Sequence, residues 1–335
     1  MAKRGLAAEL LDIGRGIGRV TLYFYVPVVT LLVLIHFPYD VDPSLYGPAK
    51  VEAASVAGSA PTQKKRTSDF YESAYLQGPK PKGIDYESTA RTAADNMGIT
   101  SDVKAFVREH HLEDKKVLEV GSGRGSLQDV VADYTGLDLS PTVAPLYHKK
   151  FVVGSATAMP FPDHTFDAIW TVWVLEHIPE PERALREMRR VVKPGGKIYL
   201  RVAWGCQSWY ADGFDVRSYE DFNWKGKLVK ASLLVRDQAY IQTAYMLPTR
   251  IIRLAHYGLS GKKTPLRFHA LEANYDVYWR PDSDASTGLD TYEAYLWHRA
   301  QGDECLNCEG PWGQMTAKGE VLVIGVRKRG EATIR

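Results

Sequence analysis

The stretch Lys116-Val-Leu-Glu-Val-Gly-Ser-Gly-Arg-Gly-Ser-Leu-Gln-Asp-Val130 constrains this chain more than any other. Lys116 to Glu119 reads as a strand entering a turn. Gly121, Gly123 and Gly125 follow two apart, a spacing that lets the backbone approach a ligand closely. From Ser126 the spacing of Leu127, Val130 and Val131 turns helical, which predicts a helix N-terminus facing that ligand. A strand, a glycine turn and a helix make a nucleotide-binding corner. The dinucleotide fingerprint would need its third glycine at 126, where the chain has Ser126. No Lys-Ser/Thr pair follows, so the turn is not a P-loop. Glu119 at the strand end would repel a pyrophosphate and suits a ligand that is cationic or rich in donors.

Strands alternate with helical patterns around this corner. Tyr134 to Ser140 reads as a second strand, Phe151 to Ala156 as a third, Asp167 to Val174 as a fourth and Lys197 to Ala203 as a fifth. Glu304 to Cys308 and Glu320 to Val326 supply two more. Tyr86 to His111 is helical with a break at Gly98. Pro181 to Val192 is an amphipathic helix stopped by Lys193-Pro-Gly-Gly196. This order predicts an α/β fold with a doubly wound, mostly parallel, seven-stranded sheet. From Trp204 to Leu289 the alternation lapses, which predicts an insertion after the fifth strand. Within it Leu228 to Ile252 reads as helical up to Pro248, and Tyr275 to Trp279 as a short strand. A helix resumes with Asp290 as its N-cap.

The N-terminus differs in character. Val20 to Ile35 is 16 residues without a charge, and His36 to Tyr39 extends the segment to 20. A membrane anchor, a signal peptide and a buried helix compete here; apolar residues on every face weigh against the buried helix. Lys3, Arg4, Arg15 and Arg19 precede the segment and Asp40 and Asp42 follow it, so the charge rule puts the N-terminus in the cytoplasm and the rest of the chain outside. A monotopic attachment of residues 20–39, with the large domain in the cytoplasm, avoids that conflict with a cytosolic cofactor. Residues 40–84, with DPSLYGP, AASVAGSAP and TQKKR, read as a linker, irregular from Asp69 to Gly83. The net charge of +2 offers no broad basic field, so no nucleic-acid partner is expected. Three cysteines form no disulfide framework, which points to a reducing compartment. Cys305 and Cys308 are a lone C-x-x-C without the second pair that zinc needs; they read as packing residues, and no metal site is expected.

The segments VLEVGSGRGS, TGLDLSP, VVGSATAMPFPDHTFDAIW, VLEHIPEPERALREMRRVVKPGGKIYL and VLVIGVRKR, in that order, resemble class I S-adenosylmethionine-dependent methyltransferases of the methyltransferase-11 type. The resemblance covers Lys116 to Gly205 and, more loosely, the last 45 residues. It implies a Rossmann-like methyltransferase domain over 85–330, with 204–289 as an acceptor lid. It implies that Glu119, Gly121, Ser122, Gly123 and Gly125 hold the methionine part of S-adenosylmethionine. Asp138, 17 residues after Gly121, would take the ribose hydroxyls, with Leu139 against the adenine. Taken alone, Asp138 could equally be a turn residue before Leu139-Ser-Pro. Ser155 and Ala156 would flank the adenine edge, Ser155 standing where the family usually has Asp. Thr171 and Val172 would offer backbone beneath the sulfonium.

An oxygen acceptor also needs a base for its proton. His177, in LEHI after the fourth strand, is placed for this, although a packing histidine would fit the same position. Asp282 and Asp284, in Arg280-Pro-Asp-Ser-Asp284, are candidates from the insertion, as are Tyr278 and His269; a solvated turn is the competing reading of that cluster. The expected acceptor is a small, lipid-linked or glycan-linked molecule near a membrane. Two other functions fit less of the pattern. A nicotinamide-dependent oxidoreductase conflicts with the shifted glycine. A non-catalytic, membrane-anchored assembly or scaffold protein could have kept the fold.

Overall fold

The seven strands expected from the alternation form one sheet in the computed structural model, which describes residues 14–16, 18–41, 63–76, 82–236, 238–260, 264–308, 310–316, 319 and 321–327. Its helices are α1 (Val26–Val41), α2 (Gln63–Tyr75), α3 (Tyr86–Asn96), α4 (Ile99–Glu109), α5 (Pro181–Val191), α6 (Trp224–Arg236), α7 (Ala239–Ser260), α8 (Thr291–Ala300) and α9 (Gly310–Thr316). The sheet strands are β1 (Lys116–Val120), β2 (Asp133–Asp138), β3 (Lys150–Val153), β4 (Phe166–Val172), β5 (Val192–Arg201), β6 (Glu304–Cys305) and β7 (Leu322–Gly325). Across the sheet they run β6-β7-β5-β4-β1-β2-β3. All neighbours are parallel except β7, which is antiparallel to both β5 and β6.

The period-two alternation of strand residues builds a core on each face. Leu118, Val120, Ile169, Ile198, Leu200, Leu322 and Ile324 join Ala184, Leu185, Met188 and Val191 of α5 and Trp297 of α8. Val117, Ala168, Trp170, Tyr199 and Val323, the intervening residues, join Val103, Phe106 and Val107 of α4. Both faces are therefore covered, as a parallel sheet requires. Gly98 separates α3 from α4 at φ +64°, a left-handed conformation that suits glycine. Asp290 caps α8 by accepting the Tyr292 amide at 3.0 Å.

The chain divides into two compact units, Met1–Glu52 with Arg217–Thr249, and Ala53–Val216 with Arg250–Arg335. In the first, α1 follows a π-helical turn, Thr21–Tyr25, and packs against α6. Among the described residues no helix is long and apolar enough to cross a membrane, which corrects the spanning reading of residues 20–39. Asp40 lies within α1.

Several local expectations are corrected. No helix follows the glycine turn: residues 126–132 form successive tight turns, because only these residues separate Gly125 from β2. Part of the supposed linker, 63–75, is α2, and its Phe70 and Ala74 are buried. The insertion holds two helices, and Pro248 lies inside α7, which continues to Ser260. β6 ends at Cys305, so the chain turns through Leu306 and Asn307 and brings Cys308 back to form a disulfide with Cys305, with 5.6 Å between their Cα atoms. The pairing removes the argument from cysteine count to a reducing compartment.

Glu119 of β1 and Tyr134 of β2 form a polar pair inside this sheet. The Tyr134 hydroxyl donates to Glu119 Oε2. Burial pushes the Glu119 carboxyl up to about 8, against the opposing effect of the Tyr134 hydrogen bond. A carboxyl raised on folding contributes full stability below its unfolded value and loses it as pH rises through the folded one. Between pH 4.5 and about 8, wild-type stability should therefore decline relative to Glu119→Gln. Denaturant melts of both proteins at pH 5 and pH 8 check this; parallel changes would remove Glu119 as the titrating group.

Candidate active site

The carbonyl of Leu137, near the end of β2, accepts the amides of Gly121 at 2.8 Å and Ser122 at 3.0 Å. The next residue, Asp138, accepts the Gly123 amide on Oδ2 at 2.7 Å and the Ser140 amide on Oδ1 at 3.0 Å. Its own carbonyl receives the Gly154 amide at 2.8 Å. The end of one strand thus holds both the glycine turn and the loop after β3. Burial raises the Asp138 carboxyl, and the amides of Ser140 and Gly123 oppose that rise.

The turn requires its glycines. Gly121, Gly123 and Gly125 have φ of +70°, +47° and +72°. A Cβ at Gly121 would overlap the Val174 side chain, and one at Gly125 would lie 2.8 Å from the Tyr147 ring. Tyr147 packs on Phe151 and sets its hydroxyl 2.7 Å from Ser122 Oγ and 2.8 Å from the Gly123 carbonyl. Tyr147 was not foreseen; nothing in SPTVAPLY marks it.

A cavity of ≈ 470 Å³ opens at this turn, within the range of small-ligand sites. Of the residues expected to hold the cofactor, Gly121, Asp138, Leu139, Ser155 and Ala156 line it. Glu119, Ser122, Gly123, Gly125, Thr171 and Val172 are not among its lining residues. Ser122, Gly123 and Gly125 shape the turn, and Thr171 is buried within β4. The wall assigned to Thr171 and Val172 is supplied by Trp173 and Val174, because the chain leaves β4 through Trp173 at φ +53°. The Ser155 hydroxyl lies 2.9 Å from Thr157 Oγ1 and accepts the Thr157 amide at 3.3 Å, so it braces the loop at the cavity edge.

The cavity is also lined by His177, Tyr71, Tyr86 and Thr67, and by Tyr75, whose hydroxyl would lie 3.2 Å from a Cβ on Gly123. The three tyrosines come from α2 and α3, outside the segments that carried the sequence argument. The Tyr71 hydroxyl donates to Asp284 Oδ2 at 2.6 Å. The same oxygen lies 3.2 Å from His177 Nδ1. The Ser286 amide donates to the Glu176 carbonyl at 2.8 Å and the Thr287 hydroxyl to the Ile178 carbonyl at 2.7 Å, which pins residues 282–288 onto the LEHI turn. His177 and Asp284 are thereby brought together, with Asp282 and Glu176 beside them. Glu176 was missed as a site residue, although it adjoins His177 in sequence.

Electrostatics around His177 are unusual. Burial raises the Glu176 carboxyl to about 7; His177 and the amides of Glu176 and Ala203 oppose this. Burial also raises Asp282, against the pull of His177. Burial alone would lower His177, but Asp284, Glu176 and Asp282 together raise it above an ordinary imidazole. Tyr278 is buried against Tyr86 and takes no part in the cavity lining. His269 is exposed in a short ladder with Gly288.

Comparison with known proteins bears on the same segment. Residues 118–200 match the family model described as a methyltransferase domain. The demethylmenaquinone methyltransferase of Renibacterium salmoninarum is 38% identical over 95 residues, covering 26% of this chain and 40% of that protein. The 2-methyl-6-phytyl-1,4-hydroquinone methyltransferase of Synechocystis is 39% identical over 97 residues, covering 25% of this chain and 30% of that protein. The chain thus spans less than half the length of these relatives. The S-adenosylmethionine-bound amino pentose methyltransferase CalS10 of Micromonospora echinaspora is 21% identical, covers 38% of this chain and 60% of its own, and superposes with a TM-score of 0.31. Residues 118–200 of this chain are thus similar to a methyltransferase domain.

Proposed function

We propose that the chain transfers a methyl group from S-adenosylmethionine to a small acceptor, lipid-linked or glycan-linked. The observation that carries this reading is the single cavity that runs from Gly121, Asp138, Leu139, Ser155 and Ala156 to His177. The donor end fits an adenosyl group. Asp138 retains acceptor capacity beyond the two amides it binds, enough for ribose hydroxyls. Gly121 of the glycine turn lines the cavity, where its lack of a side chain lets the backbone approach a ligand. Bound there, S-adenosylmethionine supplies an electrophilic methyl group on a sulfonium. Tyr71, Tyr75 and Tyr86 wall the cavity, exclude water and align the acceptor, which is the main work such a reaction asks of a protein. His177, with Asp284, Asp282 and Glu176 behind it, forms the acceptor end and takes charge of the acceptor's proton. From residues 204–289, Asp282 and Asp284 stand beside His177 and bear on acceptor selection. Relatives named for a demethylmenaquinone and a phytyl hydroquinone favour the lipid class.

We further propose that residues 20–35 attach the protein to a membrane interface, with the methyltransferase domain in the cytoplasm. Leu22, Phe24, Leu31 and Leu34 are each more than half exposed, an apolar surface that an interface would cover.

Two measurements test these readings. Calorimetry with S-adenosylhomocysteine should show binding to the full chain, weakened about tenfold or more by Asp138→Ala through loss of a charged hydrogen-bonding group. An unchanged affinity takes Asp138 out of the site, and no binding to wild type sinks the enzyme reading. In cell fractionation, the full chain should sediment with membranes and a chain lacking residues 1–39 should not. A full-length protein in the soluble fraction would refute the attachment.

A further inference from the structure

Glu176 is fully buried, and its two carboxylate oxygens face only the backbone amides of Glu176 and Ala203, neither in full hydrogen-bond geometry. A buried carboxylate left this way is costly unless something of opposite charge joins it. Its Oε1 lies 3.8 Å from His177 Nε2. Glu176, His177 and Asp282 each offer one donor atom, and these three atoms lie within 4.8 Å of one another. Asp284 Oδ2 is the carboxylate oxygen beside the other ring nitrogen, 3.2 Å from Nδ1, although the two are not in hydrogen-bond geometry. Asp284 itself is fully buried, and its Oδ1 has no partner. Three carboxyl groups surround one imidazole. Arg280, the cation acting on Asp282, is itself paired with Asp215. Asp282 holds its position through a left-handed backbone, φ +64°, that a side chain adopts rarely.

We propose that Glu176, His177 and Asp282 bind a divalent first-row cation at the acceptor end of the cavity, with Asp284 orienting His177. Two carboxylates and one imidazole suit Mn²⁺ or Zn²⁺ better than the all-oxygen sets preferred by Mg²⁺ or Ca²⁺. The cation neutralises the carboxylates. Three protein donors leave coordination positions open, and an acceptor oxygen bound at one of them releases its proton to solvent more readily, the cation then serving in place of His177 as the agent of deprotonation. His177 lines the cavity, so the ion adjoins the space the acceptor would occupy. The role rests on the reading of this cluster as the acceptor end; the binding site itself does not.

The test is a Mn²⁺ titration of the metal-free full chain, followed by electron paramagnetic resonance, with S-adenosylhomocysteine calorimetry on the same samples. The expected result is one Mn²⁺ per chain, with affinity reduced tenfold or more in Glu176→Gln and in Asp282→Asn while the nucleoside still binds. Wild-type protein that binds the nucleoside but not Mn²⁺ overturns the metal site. Variants that bind both ligands as wild type does overturn it equally. If either variant fails to fold, the wild-type titration and a Mn²⁺-dependent rise in its melting temperature decide. A protein that binds Mn²⁺ but no nucleoside keeps the metal site and overturns the methyl-donor reading.

Discussion

The hydrogen bond from the Gly123 amide to the Asp138 carboxylate, 2.7 Å long, ties the donor end of this molecule together. It joins the turn after β1 to the tip of β2, and the same residue's carbonyl holds the loop after β3. Three connections thus converge on one residue, two of them on its carboxylate and one on its carbonyl. That geometry works only because the turn passes through three left-handed glycines and because Tyr147 caps the turn's carbonyl side. The long helix that could otherwise brace such a turn is absent between Gly125 and β2. Side-chain packing by Tyr147, Phe151 and Tyr134 takes its place. A turn secured by strand-end hydrogen bonds rather than by a following helix presents amides and a carboxylate to the ligand, without a helix dipole.

The acceptor end rests on the opposite logic. It concentrates charge in a buried region and leaves part of that charge without hydrogen bonds. Burying several carboxylates beside one imidazole destabilises the fold unless protons, a cation or a substrate compensate. The clamp between residues 282–288 and the turn at 175–178, made by Ser286 and Thr287, holds the group in place regardless. Regions where a fold tolerates unpaired buried charge are those where function repays the cost. Here that region lies along one cavity with the donor end, which brings the two halves of a group-transfer site together.

Much of this was legible in the sequence. The strands, the glycine turn and Asp138 follow from periodicity and spacing over residues 116–201; the pairing of β1 with β4, between non-consecutive strands, does not. The departures have specific causes. The helix expected after Ser126 fails because seven residues, 126–132, leave no room for it before β2. Much of the tyrosine wall comes from α2, a segment whose polar composition reads as linker; its buried face is defined by packing against Tyr86 and against Tyr275 and Asp284, the latter two more than 200 positions away. The disulfide depends on a turn at Leu306 and Asn307 that strand periodicity does not predict. Asp282 and Asp284 were candidates from their polarity, but their partner Glu176 lies 106 positions before Asp282 (282 − 176), and no spacing rule links the two.

The central claim is that one cavity aligns a methyl donor on Asp138 with an acceptor at His177. A crystal structure of the full chain with S-adenosylhomocysteine tests it most directly. The account predicts ribose hydroxyls on the Asp138 carboxylate, adenine beside Leu139, Ser155 and Ala156, and the sulfur directed toward His177. A nucleoside bound elsewhere, or a sulfur facing away from His177 with no path to it, would contradict the account.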